Sequence, residues 1–331
     1  MKSAIVGCGS ISSVHFEAIQ NCPDAELVAC CDIIEDRSID AARKYGGKAY
    51  TDLETMLAEE NPDVLHICTP HYLHVLMAQM AASRGIHIFS EKPPAISKEQ
   101  MDDFLKLEEQ VQVGICFQNR YNPENVYIKD LIDQSILGEI KGARAFVTWD
   151  RSEAYYATGE WRGKWKTEGG GVLINQSIHT MDLLVHFLGK PVSVKASYDN
   201  YRLQETIEVE DTLMAYIRFE KETAIFYATN AYAANSPIFM EIAGEKGVVS
   251  ANGKDLTVTC PGQDIKTPDF QVQSTLGKDY WGSGHATCIS DFYRCLKNGE
   301  KFPVSLSSAA STTYLVIAAY ESAKTGKEIF L

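Results

Sequence analysis

Short apolar runs separated by amphipathic stretches fill the first third of the chain. Residues 4–6, 27–31, 64–68, 86–89 and 111–115 are apolar with little alternation, which is the pattern of strands covered on both faces in a parallel sheet. Between them, residues 10–21, 35–45, 71–84 and 97–109 repeat apolar positions at helical spacing. The last of these opens on Ser97 with Gln100 three positions on, a capping-box pattern. Strands alternating with helices of this length predict an open, doubly wound α/β domain over residues 1–119.

The texture changes near Arg120. Pro123 opens a helical stretch that ends near Gly138, and residues 139–149 follow as a strand. Residues 150–170 form a loop rich in aromatic and charged residues, including Tyr155, Tyr156, Trp161, Arg162 and Trp165. It leads through Gly169-Gly170-Gly171 into a long apolar helix reaching about Leu188. From 192 to 260 the pattern is mostly strands, at 192–198, 211–219, 223–230, 238–243, 248–250 and 256–260. Helical patterns at 279–297 and 307–325 and a short strand at 328–331 close the chain. Residues 120–331 therefore read as an α+β domain built on one large, mostly antiparallel open sheet.

Composition narrows the function class. With 331 residues, 45% hydrophobic and 23% charged, the chain can bury an ordinary interior and suits two domains. A formal net charge of -13 argues against nucleic acid or an anionic membrane as partner. No apolar run approaches the ~20 residues that span a bilayer, and the opening residues lack the pattern of a signal peptide. The nine cysteines are scattered without a CxxC pair, as expected of reduced, mostly buried thiols in the cytoplasm.

The sharpest local chemistry lies at the first strand–helix junction. Gly7-Cys8-Gly9-Ser10-Ile11-Ser12 follows a strand and opens a helix, the context that a dinucleotide fingerprint requires. Gly7 permits the tight turn, and Gly9 lacks the Cβ that would block a pyrophosphate from the helix N-terminus. Ser12 replaces the third glycine of the pattern. Asp32 ends the second strand about 20 residues on, where an acid accepts hydrogen bonds from a ribose 2′-hydroxyl and repels a 2′-phosphate. This favours NAD over NADP, with Arg37 close enough in sequence to weaken the preference.

At Glu91-Lys92-Pro93 a wider pattern emerges. Together with the GxG turn, Thr69-Pro70-His71-Tyr72-Leu73-His74 and the run Gly169-Gly170-Gly171-Val172-Leu173-Ile174-Asn175-Gln176-Ser177-Ile178-His179-Thr180-Met181-Asp182, the chain resembles the glucose–fructose oxidoreductase / inositol dehydrogenase / MocA family of NAD(P)-dependent sugar oxidoreductases. The resemblance covers nearly the whole chain. It implies that Glu91 and Lys92 lie at the nicotinamide and that Thr69, Pro70, His71 and His74 lie under its ribose, alongside Gly7, Gly9, Ser10, Ile11, Asp32 and Arg37 as cofactor residues. It also implies Lys92 and His179 as the catalytic pair. A lysine ammonium there would stabilise alkoxide character on the reacting oxygen, and a histidine can take the hydroxyl proton near neutral pH.

One position departs from the family. Its helix usually carries Asp, three residues, then His; here Asn175 stands in the Asp position. Asn175, His179 and Asp182 fall at i, i+4 and i+7, which on a continuous helix is one face. Asn175 can orient substrate hydroxyls but cannot act as a base, and Asp182 is expected to steady His179 or to cap the core side. Lys92, Arg120, Tyr156, Trp161, Arg162, Asn175, His179 and His285 are the candidate substrate contacts, since rings that stack on sugar faces interleaved with polar groups suit a polyol. His71 and His74 lack a third ligand, so no metal is expected.

Three functions remain open. The first is hydride transfer between NAD and a secondary alcohol or ketone of a sugar or cyclic polyol. The second uses bound NAD as a transient oxidant within a glycoside-cleaving or epimerising cycle. The third is a non-catalytic NAD-dependent sensor. A broad sheet with one free face predicts a homodimer or homotetramer.

Overall fold

The computed structural model describes residues 1–270 and 283–331, which fall into two compact units. In the first, β1 (Lys2–Val6), β2 (Glu26–Cys31), β3 (Lys48–Tyr50), β4 (Val64–Ile67), β5 (His87–Ser90) and β6 (Val113–Ile115) form a parallel sheet in the order β3-β2-β1-β4-β5-β6. Helices α1 (Ser12–Asn21), α2 (Glu35–Tyr45), α3 (Leu53–Glu60), α4 (His74–Ala82) and α5 (Lys98–Leu105) connect the strands. Continuous apolar runs become strands buried on both faces, as β4 is at all four positions. Strand order reverses between β1 and β4, and ligands of such sheets bind at the carboxyl ends of that pair.

Local chemistry fixes the helix boundaries. Glu35 and Asp36 open α2, and Arg43 and Lys44 end it, each complementing the helix dipole. Ser97 caps α5 by accepting from the Gln100 amide at 3.2 Å, and the Gln100 side chain in turn accepts from the Ile96 amide. The sequence pattern misses β3 and α3. Strand β3 has three residues, two of them exposed, and so carries no apolar run. The start of α3 is signalled only by Asp52, whose carboxylate accepts from the Thr55 amide at 2.8 Å.

The division of the chain is not a single cut near residue 120. The first unit takes Met1–Tyr121 and then Gln273–Ala310. The returning segment carries α9 (His285–Asn298), which packs on α1. Its Phe292 and Phe302 are fully buried, and they crowd Gly114 of β6 so closely that a Cβ there would lie 2.7 Å from the Phe292 ring. The helix expected at 279–297 begins at His285, with Gly284 as its cap; residues 279–282 lie outside the described ones.

The second unit holds α6 (Pro123–Asp133), β7 (Ile140–Thr148), the short α7 (Glu153–Tyr156), α8 (Ile178–Leu188) and strands β8 (Pro191–Asp199), β9 (Thr212–Phe219), β10 (Thr223–Thr229), β11 (Phe239–Gly244), β12 (Val248–Asn252) and β13 (Asp255–Thr259). With β14 (Ile329–Phe330) they form an eight-stranded sheet in the order β13-β12-β11-β7-β10-β9-β8-β14. All neighbours are antiparallel except β7 and β10. Helix α10 (Leu306–Thr325) gives its first residues to the first unit and the remainder to the second.

The long helix expected from the glycine run to Leu188 is broken. Residues Val172–Gln176 form a π-helical turn, Ser177 leaves helical geometry at φ -106° and ψ 2°, and α8 begins at Ile178. The cause is local. The Ser177 amide and hydroxyl both donate to the Val172 carbonyl, at 2.9 and 2.8 Å, closing a wider turn than the α ladder. Asn175 therefore does not share an α-helical face with His179 and Asp182.

If the returning segment completes the first unit's core, Gly114→Ala should lower stability by about 1–3 kcal/mol through overpacking against Phe292 and Phe302. Urea unfolding of the two proteins checks this.

Candidate active site

The nucleotide turn is built where β1 and β4 end side by side. Gly7 has φ +88°, and a Cβ on it would lie 2.6 Å from the Cys68 carbonyl oxygen, so only glycine fits. Around Gly9 nothing lies within 4 Å of the Cβ position. A pyrophosphate can therefore approach this backbone, and α1 begins three residues later at Ser12. Ser12 is buried, and its hydroxyl donates to the Gly9 carbonyl at 2.7 Å, which is how a serine serves in place of the third glycine. Asp32 braces the turn: one carboxylate oxygen accepts from the Cys8 amide at 2.8 Å, the other from Ile34 at 2.9 Å. Ser10 and Arg37 are exposed and Ile11 is half-buried. Ile33, which the sequence reading did not single out, follows Asp32 with 89% of its surface exposed.

The segment after β4 is clamped to the segment after β5. His74 is fully buried, with Nδ1 2.8 Å from the Pro93 carbonyl oxygen and Nε2 2.8 Å from that of Thr69. Burial lowers the His74 imidazole, and the neutral ring donates from one nitrogen to one of these two carbonyls. Its ring lies near the buried His71, with centroids 5.9 Å apart. The ligand atoms of His15, Glu91 and Cys116 lie within 4.8 Å of one another. Two of them already bond each other, His15 Nε2 to Glu91 Oε1 at 3.0 Å.

Lys92 is half-buried between buried neighbours, with a cis peptide to Pro93. Its amide donates to Glu91 Oε2 at 3.2 Å. Burial would raise the Glu91 carboxyl, but the His15 hydrogen bond and the charges of His15, His285 and Lys92 hold it well below the usual carboxylate range. His285 opens α9 in this same unit, and burial pushes its imidazole down to about 4. Trp281 and Gly282, from the same motif, lie outside the described residues. Arg120 is half-buried, donates to Ser308 Oγ at 2.8 Å and lies over the Phe117 ring.

The second unit carries the remaining candidates. Residues His179 and His186 are the two positions of α8 that are not buried. Asp182 accepts from Thr312 Oγ1 at 2.8 Å, so it ties α8 to α10 on the core side. Asn175 donates through Nδ2 to Glu168 Oε1 at 2.5 Å, while Glu168 Oε2 accepts from the Gly163 amide at 2.5 Å. Glu168, fully buried, is a carboxylate the sequence reading missed, and it meets the residue that stands where the family has Asp. Tyr156 belongs to a buried cluster with Leu203, Ile207 and Val209, and its hydroxyl accepts from Asn230. Arg162 stacks over Tyr155 and Trp161, 4.7 and 4.5 Å from their centroids, and donates to the Tyr155 hydroxyl at 2.7 Å.

Glu210 organises the glycine run. It accepts from the amides of Gly171 and Leu173 at 2.8 and 3.0 Å and from the Tyr320 hydroxyl at 2.8 Å. A Cβ on Gly171 would lie 1.9 Å from the Glu210 backbone oxygen and one on Gly170 2.1 Å from the Tyr320 hydroxyl, which explains why these positions are glycine. Burial pushes the Glu210 carboxyl up to about 7 against those hydrogen bonds.

A six-stranded parallel sheet with a glycine turn at its switch point, followed by a unit with a broad mixed sheet, defines a two-domain dinucleotide-dependent oxidoreductase. Residues 1–118 match the description "Oxidoreductase family, NAD-binding Rossmann fold" and residues 129–331 match "Oxidoreductase family, C-terminal alpha/beta domain". The chain belongs to the glucose–fructose oxidoreductase / inositol dehydrogenase / MocA family, with an NAD-binding N-terminal domain. It is similar to D-glucoside 3-dehydrogenase of Escherichia coli (strain K12), 27% identical over 100% of this chain and 97% of the relative. It is also similar to inositol 2-dehydrogenase of Rhizobium meliloti (strain 1021), 23% identical over 99% of this chain and 98% of the relative. Among solved structures, the WlbA dehydrogenase from Bordetella pertussis in complex with NADH and UDP-GlcNAcA superimposes with a TM-score of 0.91 at 30% identity, covering 100% of this chain and 97% of that one. Among the described residues, no helix is long and apolar enough to cross a membrane.

The two turn glycines should separate folding from binding. Gly7→Ala introduces strain of about 1–3 kcal/mol and should lower both stability and NADH affinity. Gly9→Ala should fold with unchanged stability yet bind NADH about tenfold more weakly or worse, because its Cβ meets only the cofactor. NADH fluorescence titration beside urea unfolding reads both.

Glu210 predicts a pH dependence of stability. Its folded pKa lies above its unfolded value, so its contribution is fully present below the ordinary carboxylate range and is lost as pH rises through about 7. The melting temperature of the wild type should therefore fall on raising the pH from about 6 to about 8, whereas Glu210→Gln, less stable throughout, should lose that slope.

Proposed function

We propose that this chain interconverts a secondary alcohol of a sugar and the matching ketone with NAD as hydride carrier, and that Lys92 and His179 act on the reacting oxygen and its proton. The observation that carries the reading is Lys92. It is half-buried and tied through its own amide to the buried Glu91, at the end of the strand that neighbours the switch point. A lysine held there donates to the oxygen as negative charge develops on it. When bound, the nicotinamide supplies the two-electron hydride acceptor. His179 takes the hydroxyl proton in oxidation and returns it in reduction, which suits a histidine that is one of two residues of its helix left partly open. Asn175 holds no titratable group, and Glu168 fixes its amide nitrogen-first, so Asn175 orients rather than exchanges a proton.

The sugar class is supported by the relatives, a glucoside dehydrogenase, an inositol dehydrogenase and a dehydrogenase bound to UDP-GlcNAcA. Within that class, Arg162 favours an anionic sugar such as a nucleotide-linked uronate. Its guanidinium lies on two aromatic faces and has no carboxylate partner among the described residues. Asp32, engaged with the turn, supports NAD over NADP.

Purified protein mixed with NAD and a panel of neutral polyols, glycosides and UDP-GlcNAcA should change nicotinamide absorbance with at least one sugar. Lys92→Ala and His179→Ala should each lower turnover by about 10²-fold or more while NADH still binds. Product without net reduction, from protein that retains its cofactor, would instead indicate transient oxidation. Full function in both variants would indicate a sensor.

Assembly and compartment follow the same reading. Met214 and Tyr216 on β9 and Ile225 on β10 are exposed, with Tyr216 and Ile225 paired across the strands. This apolar sheet face supports a homodimer or homotetramer formed by covering it. All nine cysteines are free thiols, which suits the reducing cytoplasm. Light scattering at micromolar concentration should give a dimer or tetramer, and Tyr216→Lys with Ile225→Glu should shift it towards monomer.

A further inference from the structure

A line of polar side chains crosses the interior of the first unit and ends at the peptide that carries Lys92. Glu91 Oε1 is 3.0 Å from His15 Nε2 on α1, and His15 Nδ1 is 3.0 Å from His66 Nδ1 on β4. His66 Nε2 is 2.8 Å from the Tyr293 hydroxyl on α9, which is 2.6 Å from Ser3 Oγ on β1. Ser3, His15, His66 and Tyr293 are all fully buried. Five separate elements thus contribute one polar group each to an otherwise apolar interior.

Hydrogen-bond chemistry gives the line a direction. A carboxylate only accepts, so Nε2 of His15 carries a hydrogen. Burial holds His66 neutral, well below the usual imidazole range, so one of its ring nitrogens donates and the other accepts, between His15 Nδ1 and the Tyr293 hydroxyl. His15 is drawn towards the imidazolium, in which Nδ1 donates as well. Burial opposes that charge, yet Cys68, Cys116 and Glu91 around the ring together pull it well above the usual imidazole range. The groups facing the pair are Cys68, Cys116, His66, His285 and Lys92. Of these, Lys92 is the cation that competes with His15 for the carboxylate.

We propose that His15 is a positioning residue for the reaction. By occupying Glu91 from inside the fold, it fixes the peptide of Lys92 and keeps the carboxylate from capturing the lysine's own ammonium. This rests on the reading that Lys92 acts on the reacting oxygen. Without His15, the buried carboxylate of Glu91 would keep only the Lys92 amide as donor, and a buried charge left short of partners draws on the cation of the adjoining residue. The lysine would then turn inward to Glu91 instead of outward to the oxygen.

The competition makes a prediction that a merely structural histidine does not. His15→Phe keeps the ring volume and removes the charge and both donors; His15→Gln keeps a donor without the charge. In His15→Phe, NADH affinity should stay within about threefold, turnover should fall about tenfold or more, and the pH midpoint for labelling Lys92 with trinitrobenzenesulfonate, read by mass spectrometry, should rise by about one unit or more. His15→Gln should fall between. The double variant His15→Phe/Glu91→Gln, which has no carboxylate to capture the lysine, should regain turnover relative to His15→Phe and return the labelling midpoint towards wild type. A double variant as impaired as the single one, or an unmoved labelling midpoint in both His15 variants, overturns the proposal. Lys92→Ala measured alongside separates the two failures: if it retains turnover, the role of Lys92 falls and the role of His15 with it. If it loses turnover while His15→Phe does not, only the role of His15 falls.

Discussion

A carboxylate inside a protein is tolerated only where donors surround it, and that requirement organises both units. Asp32, Glu91, Glu168, Asp182, Glu210 and Asp211 are all buried. Asp182 ties α8 to α10, and each of the others holds a place where the chain changes direction. Asp32 gathers the glycine turn, Glu91 the lysine peptide, Glu168 the loop before the glycine run, and Glu210 the glycine run itself. Asp211 accepts from the amides of Tyr201 and Arg202 and so fastens the loop between β8 and β9. The apolar sheets supply the bulk of the stability, but the loops that carry chemistry are set by acids that must be satisfied where they sit.

The architecture was legible because its signals are long and repeated. Uninterrupted apolar strands, a glycine turn with an acid about 20 residues later, and alternating strands in the second half each restate the fold. What escaped notice was short or non-local. Strand β3 shows no apolar run, and the return of α9 to the first unit depends on Phe292 and Phe302 meeting β6, a contact no periodicity reveals. The break at Ser177 turns on one hydroxyl choosing a carbonyl. His66 did leave a trace, a polar residue in the middle of the apolar run Val64-Leu65-His66-Ile67, but its partners are more than 50 residues away in sequence on one side and more than 200 on the other.

Asn175 shows how a family pattern can be kept in substance while its letters change. The acid expected at that position is absent, yet an acid is present at the same amide, delivered by Glu168 from the preceding loop. The pairing is invisible from spacing alone because the π-helical turn, not an α-helix, sets where the Asn175 side chain points. Under the proposed function, proton transfer falls to His179 and orientation to the Glu168–Asn175 pair.

The split of the first unit across the chain has a consequence for biogenesis. Tyr293 and Phe302, both fully buried in that unit, follow Tyr121 only after most of the second unit has been made, and α1 has no α9 to pack against until then. The nucleotide-binding half therefore cannot finish folding before most of the second unit has been made. Its polar line from Glu91 to Ser3 stays open for the same interval, since Tyr293 joins His66 to β1.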